Sequence, residues 1–89
     1  MSSVTIYSTP TCPYCLAAKA LLRGKGVTYN DISIEGDREA AVALAKKTGR
    51  RTVPQIYIGA THVGGFDDLS ALDQDGRLDA LLRREAALS

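Results

Sequence analysis

The chain's two cysteines stand three positions apart in the stretch Thr11-Cys12-Pro13-Tyr14-Cys15, with a proline between them. Proline is favoured at the first position of a helix, where the amide it lacks would be unpaired in any case. A first helix beginning at Pro13 makes Cys12 the N-cap, facing unsatisfied N–H groups and the positive end of the helix dipole. A thiolate is stabilised there. The pKa of Cys12 is therefore expected below that of a free thiol, and Cys12 is the predicted nucleophile. Cys15 lies on the same side of the first turn, at a Cα separation of roughly 5 to 6 Å, within the range a disulfide tolerates. It heads the face that carries Leu16 and Lys19 and is expected to be the more enclosed thiol. It takes the resolving role, attacking a mixed disulfide formed at Cys12 and releasing the partner.

Two structural uses of the pair compete with redox chemistry. A permanent disulfide would close a loop so short that chain entropy gives only about 2 kcal/mol. A structural zinc needs four ligands, and beyond the two thiolates only His62 remains, with no second cysteine pair. His62 is expected to be a hairpin residue, since exchange needs no separate base once the thiolate exists. An iron–sulfur cluster bridged between two copies needs fewer ligands per chain and stays open on ligand count.

The elements that must position these thiols follow from pattern and punctuation. With 89 residues, 45% of them hydrophobic, the chain suits one domain spanning residues 1–89. Its formal charge of +1 gives no field to hold a nucleic-acid backbone or an anionic membrane. The N-terminus lacks the pattern of a secretory signal, and the longest apolar run, Ala40 to Ala45, is too short to span a bilayer. A soluble protein in a reducing cytoplasm is expected, where a close cysteine pair is more often catalytic or metal-binding than a staple.

Val4 to Ser8 reads as a strand, followed by a helix with Leu16, Ala20 and Leu21 on one face and Gly24 and Gly26 at its end. Val27 to Ile34 alternates imperfectly as a second strand. Asp37 can cap a helix through Ala41, Leu44 and Ala45, with Lys46 and Lys47 in its last turn and Gly49 beyond. Thr52 to Gly59 and Thr61 to Gly65 read as two strands joined at Gly59-Ala60 as a hairpin. Phe66, Leu69 and Leu72, then Leu78, Leu81 and Leu82, give two further helices. The order β-α-β-α-β-β-α with an additional C-terminal helix predicts an α/β fold, a four-stranded mixed sheet flanked by helices.

Cys12-Pro13-Tyr14-Cys15 between a first strand and first helix, Thr52-Val53-Pro54 about forty residues on, and Gly64-Gly65-Phe66-Asp67-Asp68 after that together resemble the glutaredoxins, specifically the small dithiol class, over roughly Val4 to Leu82. The resemblance implies a thioredoxin-like fold and a glutathione-dependent thiol–disulfide oxidoreductase that reduces protein disulfides and glutathione mixed disulfides. Glutathione is then the reducing co-substrate, no cofactor is bound permanently, and the partners are disulfide-containing or glutathionylated proteins, met by a monomer. The Val53–Pro54 bond is implied to be cis, offering the Val53 backbone to glutathione's cysteine as an added strand would. Gly64 and Gly65 would allow close backbone approach. Phe66 to Asp68 would open a helix whose amides take the γ-glutamyl carboxylate, and Asp67 or Asp68 its ammonium. Tyr14 would line the groove, with Thr52, and Arg50 or Arg51 would meet the glycine carboxylate. Lys46 and Lys47 read as a solvated helix end.

The pattern departs from the family at Thr9, where many members carry a lysine that contacts glutathione and steadies the thiolate. Lys19, two turns along the helix, is a poor substitute. The departure leaves room for a redoxin electron donor reduced by a thioredoxin-type reductase. An iron–sulfur cluster-binding dimer is the other alternative, which proline beside Cys12 disfavours within the family.

Overall fold

The computed structural model of the protein describes residues 4–50 and 52–88. Four strands and four helices follow along it in the order β1 (Val4–Ser8), α1 (Pro13–Gly24), β2 (Asn30–Ser33), α2 (Arg38–Thr48), β3 (Gln55–Ile58), β4 (Thr61–Gly64), α3 (Phe66–Gln74) and α4 (Arg77–Leu88). The strands form one mixed sheet in the order β2-β1-β3-β4, with β2 parallel to β1 and the other neighbours antiparallel.

Alternation decides the layers. Val4 and Ile6 of β1 sit opposite Ile58 and Ile56 of β3, and all four point to one face of the sheet. There they meet Ala18 and Leu22 of α1, Leu69 of α3 and Leu78 of α4 in a single buried cluster. Each such aliphatic side chain contributes about 1.5–3 kcal/mol relative to an exposed one. The opposite face carries Tyr7 and Tyr57, packed edge to face with ring centroids 6.1 Å apart. Helix α2 lies on that side, with the Lys47 ammonium 4.5 Å from the Tyr57 ring centre.

Helix α2 keeps the punctuation expected of it. The Asp37 carboxylate accepts from the Ala40 N–H at 3.0 Å, and Gly49 ends the helix in the left-handed region at φ 73°. Lys47 is not merely solvated, since its charge rests on Tyr57.

Two expectations change. The buried stripe of α1 is Cys15, Ala18 and Leu22, flanked by Leu21, whereas Leu16 is 53% exposed and Ala20 faces solvent. With Cys15, Ala18 and Leu22 facing inward, Leu16 is turned outward next to Cys15. The second strand begins only at Asn30, where the chain comes alongside Thr5, and all four of its residues are exposed, as suits an edge. Val27 and Tyr29 still pack against the core, but from the connection after α1.

Candidate active site

Three segments converge at one end of the sheet: the start of α1, the Thr52–Pro54 loop before β3, and the start of α3. The turn after β1 closes with Cys12 N–H to the Thr9 carbonyl at 3.4 Å, and the Cys12 carbonyl then accepts the first helical bond, from Leu16 N–H at 3.2 Å. Cys12 has extended backbone and Pro13 is the first helical residue, so the thiol occupies the N-cap as expected.

The two thiols are unpaired and differ sharply in surroundings. Cys12 is half-buried and Cys15 has no exposed surface. Loss of solvent works against a Cys12 thiolate, but the Cys15 N–H, the Cys15 thiol and the Tyr14 N–H outweigh it and hold the Cys12 pKa below the ordinary thiol value. Cys15 is pushed the other way, up to about 11. Burial is the main cause, with the Cys12 sulfur adding to it and the Thr9 backbone and Lys19 opposing. One turn of helix thus sets an anion-stabilised sulfur at the surface beside a proton-retaining sulfur in the core. They are close enough to hydrogen-bond. Lys19 is committed elsewhere, at 2.6 Å from Asp31, whose other oxygen accepts from the buried Ser8 hydroxyl at 2.6 Å.

The Val53–Pro54 peptide bond is cis, as the resemblance implied. The Cys12 thiol donates to the Val53 carbonyl at 3.7 Å, so the loop and the N-cap are in direct contact.

Beside this contact runs a groove of about 240 Å³ lined by Tyr14, Arg50, Thr52, Val53, Pro54, Gly65, Phe66, Asp67 and Asp68. Every one of these is a residue the sequence singled out. Tyr14 and Phe66 form one wall, their ring centroids 6.4 Å apart. Arg51 lies outside the described residues. Larger hollows, of about 510 and 440 Å³, follow the outer surface of α2 around Arg38, Val42 and Lys46, away from both thiols.

Arg50 and Asp68, each expected to meet a charged end of a ligand, here pair with each other. Arg50 Nη1 lies 2.8 Å from Asp68 Oδ2, and the same oxygen accepts from the Gly65 N–H at 2.9 Å. The Arg50 hydrogen bond and the Gly65 amide keep the Asp68 carboxyl below its ordinary pKa, against a smaller opposing effect of burial. Gly64 accommodates the arrangement. At φ 112° it adopts a conformation closed to most L-residues, and a Cβ there would collide with the Asp68 carboxylate.

Gln55 carried no functional expectation. Although fully buried, it has both ends of its amide satisfied: Nε2 donates to the Thr52 carbonyl at 2.9 Å, and Oε1 lies 2.7 Å from His62 Nε2. His62 is a hairpin residue, as expected, stacked on Tyr57 with ring centroids 5.0 Å apart. Among the described residues, no cluster of three or more His, Cys, Asp or Glu side chains could hold a metal ion, and no helix is long and apolar enough to cross a membrane.

Comparison with known proteins agrees with this geometry. The glutaredoxin family model matches residues 4–63. A glutaredoxin of Pseudomonas aeruginosa is 56% identical over 82 residues, covering 92% of this chain and 98% of that protein. Glutaredoxin 3 of Escherichia coli K12 is 52% identical over 83 residues, covering 93% and 100%. Among solved structures, a buckwheat glutaredoxin–glutathione complex superposes with a TM-score of 0.90 at 31% identity, covering 97% of this chain and 81% of that one. Such identity over nearly the full length of both chains, with the thiol pair, cis-proline loop and α3 start brought together, leaves one conclusion: the chain belongs to the glutaredoxin family and is a thiol–disulfide oxidoreductase of thioredoxin-like fold.

Proposed function

We propose that the protein is a glutathione-dependent dithiol oxidoreductase, acting as a monomer in the cytoplasm through a single domain of residues 1–89. Cys12 attacks a substrate disulfide or a glutathionylated protein. Cys15 then resolves protein mixed disulfides, leaving a Cys12–Cys15 bridge that glutathione reduces, and no permanent cofactor takes part. The observation that carries this function is the half-buried, thiolate-favouring Cys12 in contact with the Val53 carbonyl, at the edge of a groove lined by Tyr14, Thr52, Pro54 and Gly65 to Asp68. Ionisation of Cys12 removes the proton it donates to the Val53 carbonyl. The acceptor is freed just as the nucleophile forms, and the cysteine of glutathione pairs with the Val53 backbone in strand fashion.

At the α3 end, free amides of the first turn receive the γ-glutamyl carboxylate. Exposed Asp67 and the outer oxygen of Asp68 receive its ammonium. For Arg50 to meet the glycine carboxylate it must exchange Asp68 for the ligand, at little cost, since the ion pair is exposed; Arg51 is the other candidate. The relative solved with glutathione supports this choice of co-substrate.

Two single-cysteine variants test the roles. Cys12→Ser is expected to abolish all exchange. Cys15→Ser should keep removal of glutathione from a mixed disulfide and lose reduction of protein disulfides. Equal loss in both variants refutes the assignment, and faster turnover with a thioredoxin-type reductase than with glutathione refutes the co-substrate.

A further inference from the structure

Gln55 is fully buried at the start of β3, where an unpaired amide is expensive, so its hydrogen bonds define its surroundings. Its Nε2 reaches the Thr52 carbonyl at 2.9 Å and the Thr52 hydroxyl at 3.4 Å. A carbonyl only accepts, so the amide nitrogen must face it and Oε1 must face His62. The proton on the 2.7 Å contact therefore sits on His62 Nε2. The imidazole is seated by its stack on Tyr57, itself braced by the Tyr7 edge and the Lys47 ammonium. A polar connection thus runs from β4 across β3 to the Thr52 carbonyl.

That carbonyl shares its peptide unit with the Val53 N–H. The unit is planar and trans, so holding the C=O from one side fixes the N–H toward the other. His62 itself does not line the groove. We propose that His62 and Gln55 are positioning residues: acting through the Gln55 amide, the imidazole fixes the Thr52–Val53 peptide plane against which an extended thiol substrate pairs. Given the glutathione binding proposed above, on which this role rests, the pair sets affinity for glutathione-bearing disulfides.

Three substitutions at the exposed His62 separate this role from simple packing. His62→Phe keeps a ring on Tyr57 and shields Gln55 Oε1 without offering a donor. His62→Ala removes the ring but lets water supply the donor. His62→Gln restores a donor at similar reach. With the mixed disulfide of glutathione and 2-mercaptoethanol, His62→Phe should raise KM about five-fold, the effect of one lost neutral hydrogen bond, with kcat changed far less. His62→Ala should fall between it and wild type, and His62→Gln should restore KM. The KM for cystine, which lacks glutathione's flanking residues, should move less than that for the glutathione disulfide. A packing role predicts the reverse order, with His62→Ala the worst and His62→Gln no better; that order, or an unchanged KM in His62→Phe, overturns the proposal.

Amide hydrogen exchange reads the pair without glutathione. The Gln55 side-chain NH₂, bonded to the Thr52 carbonyl, should exchange faster in His62→Phe than in wild type, and unchanged exchange overturns the positioning role. If wild type shows no preference for the glutathione disulfide over cystine while exchange still responds, the positioning stands and the choice of glutathione falls.

Discussion

The opposed environments of the two thiols predict that alkylating reagents distinguish them by orders of magnitude. Consider Cys12→Ser, which leaves Cys15 alone in its buried seat. The alkylating species is the thiolate, so the rate follows the ionised fraction. At pH 7 a thiol with a pKa of about 11 is about 0.01% ionised, and one at 9.0 about 1%. The structure therefore predicts about 100-fold slower alkylation of Cys15 than of a cysteine in an unfolded peptide. Removing the Cys12 sulfur relieves a secondary cause of the shift, so the ratio in the variant will be lower, but burial remains and the ratio should stay above about 10. In Cys15→Ser, Cys12 should alkylate faster than the peptide at pH 7, with an ionisation midpoint below that of an ordinary thiol. Loss of the Cys15 thiol weakens this somewhat, while the Tyr14 and position-15 amides persist. The assay is iodoacetamide labelling across pH 5–11, read by intact mass. Peptide-like labelling of Cys15 at neutral pH would refute the burial argument. A Cys12 midpoint at or above that of a free thiol would refute the N-cap argument.

Other consequences are equally open to measurement. The raised Cys15 pKa means the folded reduced protein favours the neutral thiol, so its contribution is complete below the unfolded pKa and is lost as pH rises through about 11. Denaturant unfolding between pH 9 and 11 should lose up to about 3 kcal/mol that Cys15→Ala does not lose. The lowered Asp68 pKa has the opposite sign: its stabilisation is present above the ordinary carboxyl range and lost as pH falls through the folded value. Arg50→Ala should move the Asp68 midpoint back up in a carboxyl-detected NMR titration. Gly64→Ala should destabilise by more than about 1 kcal/mol, because its backbone is at positive φ and the new methyl meets Asp68. Leu69→Ala, in the fully buried cluster, should cost about 2–5 kcal/mol in thermal or denaturant unfolding.

Features encoded in neighbouring residues were legible before the structure. A proline after Cys12 places the N-cap, Asp37 and Gly49 bound α2, and a two-residue turn joins β3 to β4. The groove's three segments are the motifs that carry the family resemblance, and their convergence, like the cis bond, was legible only through it. What escaped depends on partners distant in sequence. Arg50 and Asp68 are eighteen positions apart, and Ser8 and Asp31 twenty-three, so no local pattern announces either contact. The length of β2 is set by where β1 offers a partner, and its propensity alone ran too far. Leu16 misled because hydrophobic spacing cannot say which of two overlapping stripes faces the sheet; Cys15 itself, counted as chemistry, was also core. Gln55 left a faint trace, a lone amide among apolar strand residues whose meaning needed the His62 ring on the neighbouring strand.

Unequal thiols also direct the closing half of the proposed cycle. When glutathione reduces a Cys12–Cys15 bridge, two sulfurs could be attacked. A low leaving-group pKa favours attack at Cys15, which would expel Cys12 as the better thiolate. Access favours attack at Cys12, because Cys15 has no exposed surface. Access prevails, since no geometry delivers a peptide thiol to an enclosed sulfur, and the departing Cys15 then takes up a proton, as its raised pKa requires. Reduction by glutathione should accordingly proceed through a Cys12–glutathione mixed disulfide and never through its Cys15 counterpart. Acid-quenched intermediates mapped by peptide mass spectrometry would show the glutathione adduct on Cys12; an adduct on Cys15 would mean that the buried sulfur opens to solvent during turnover.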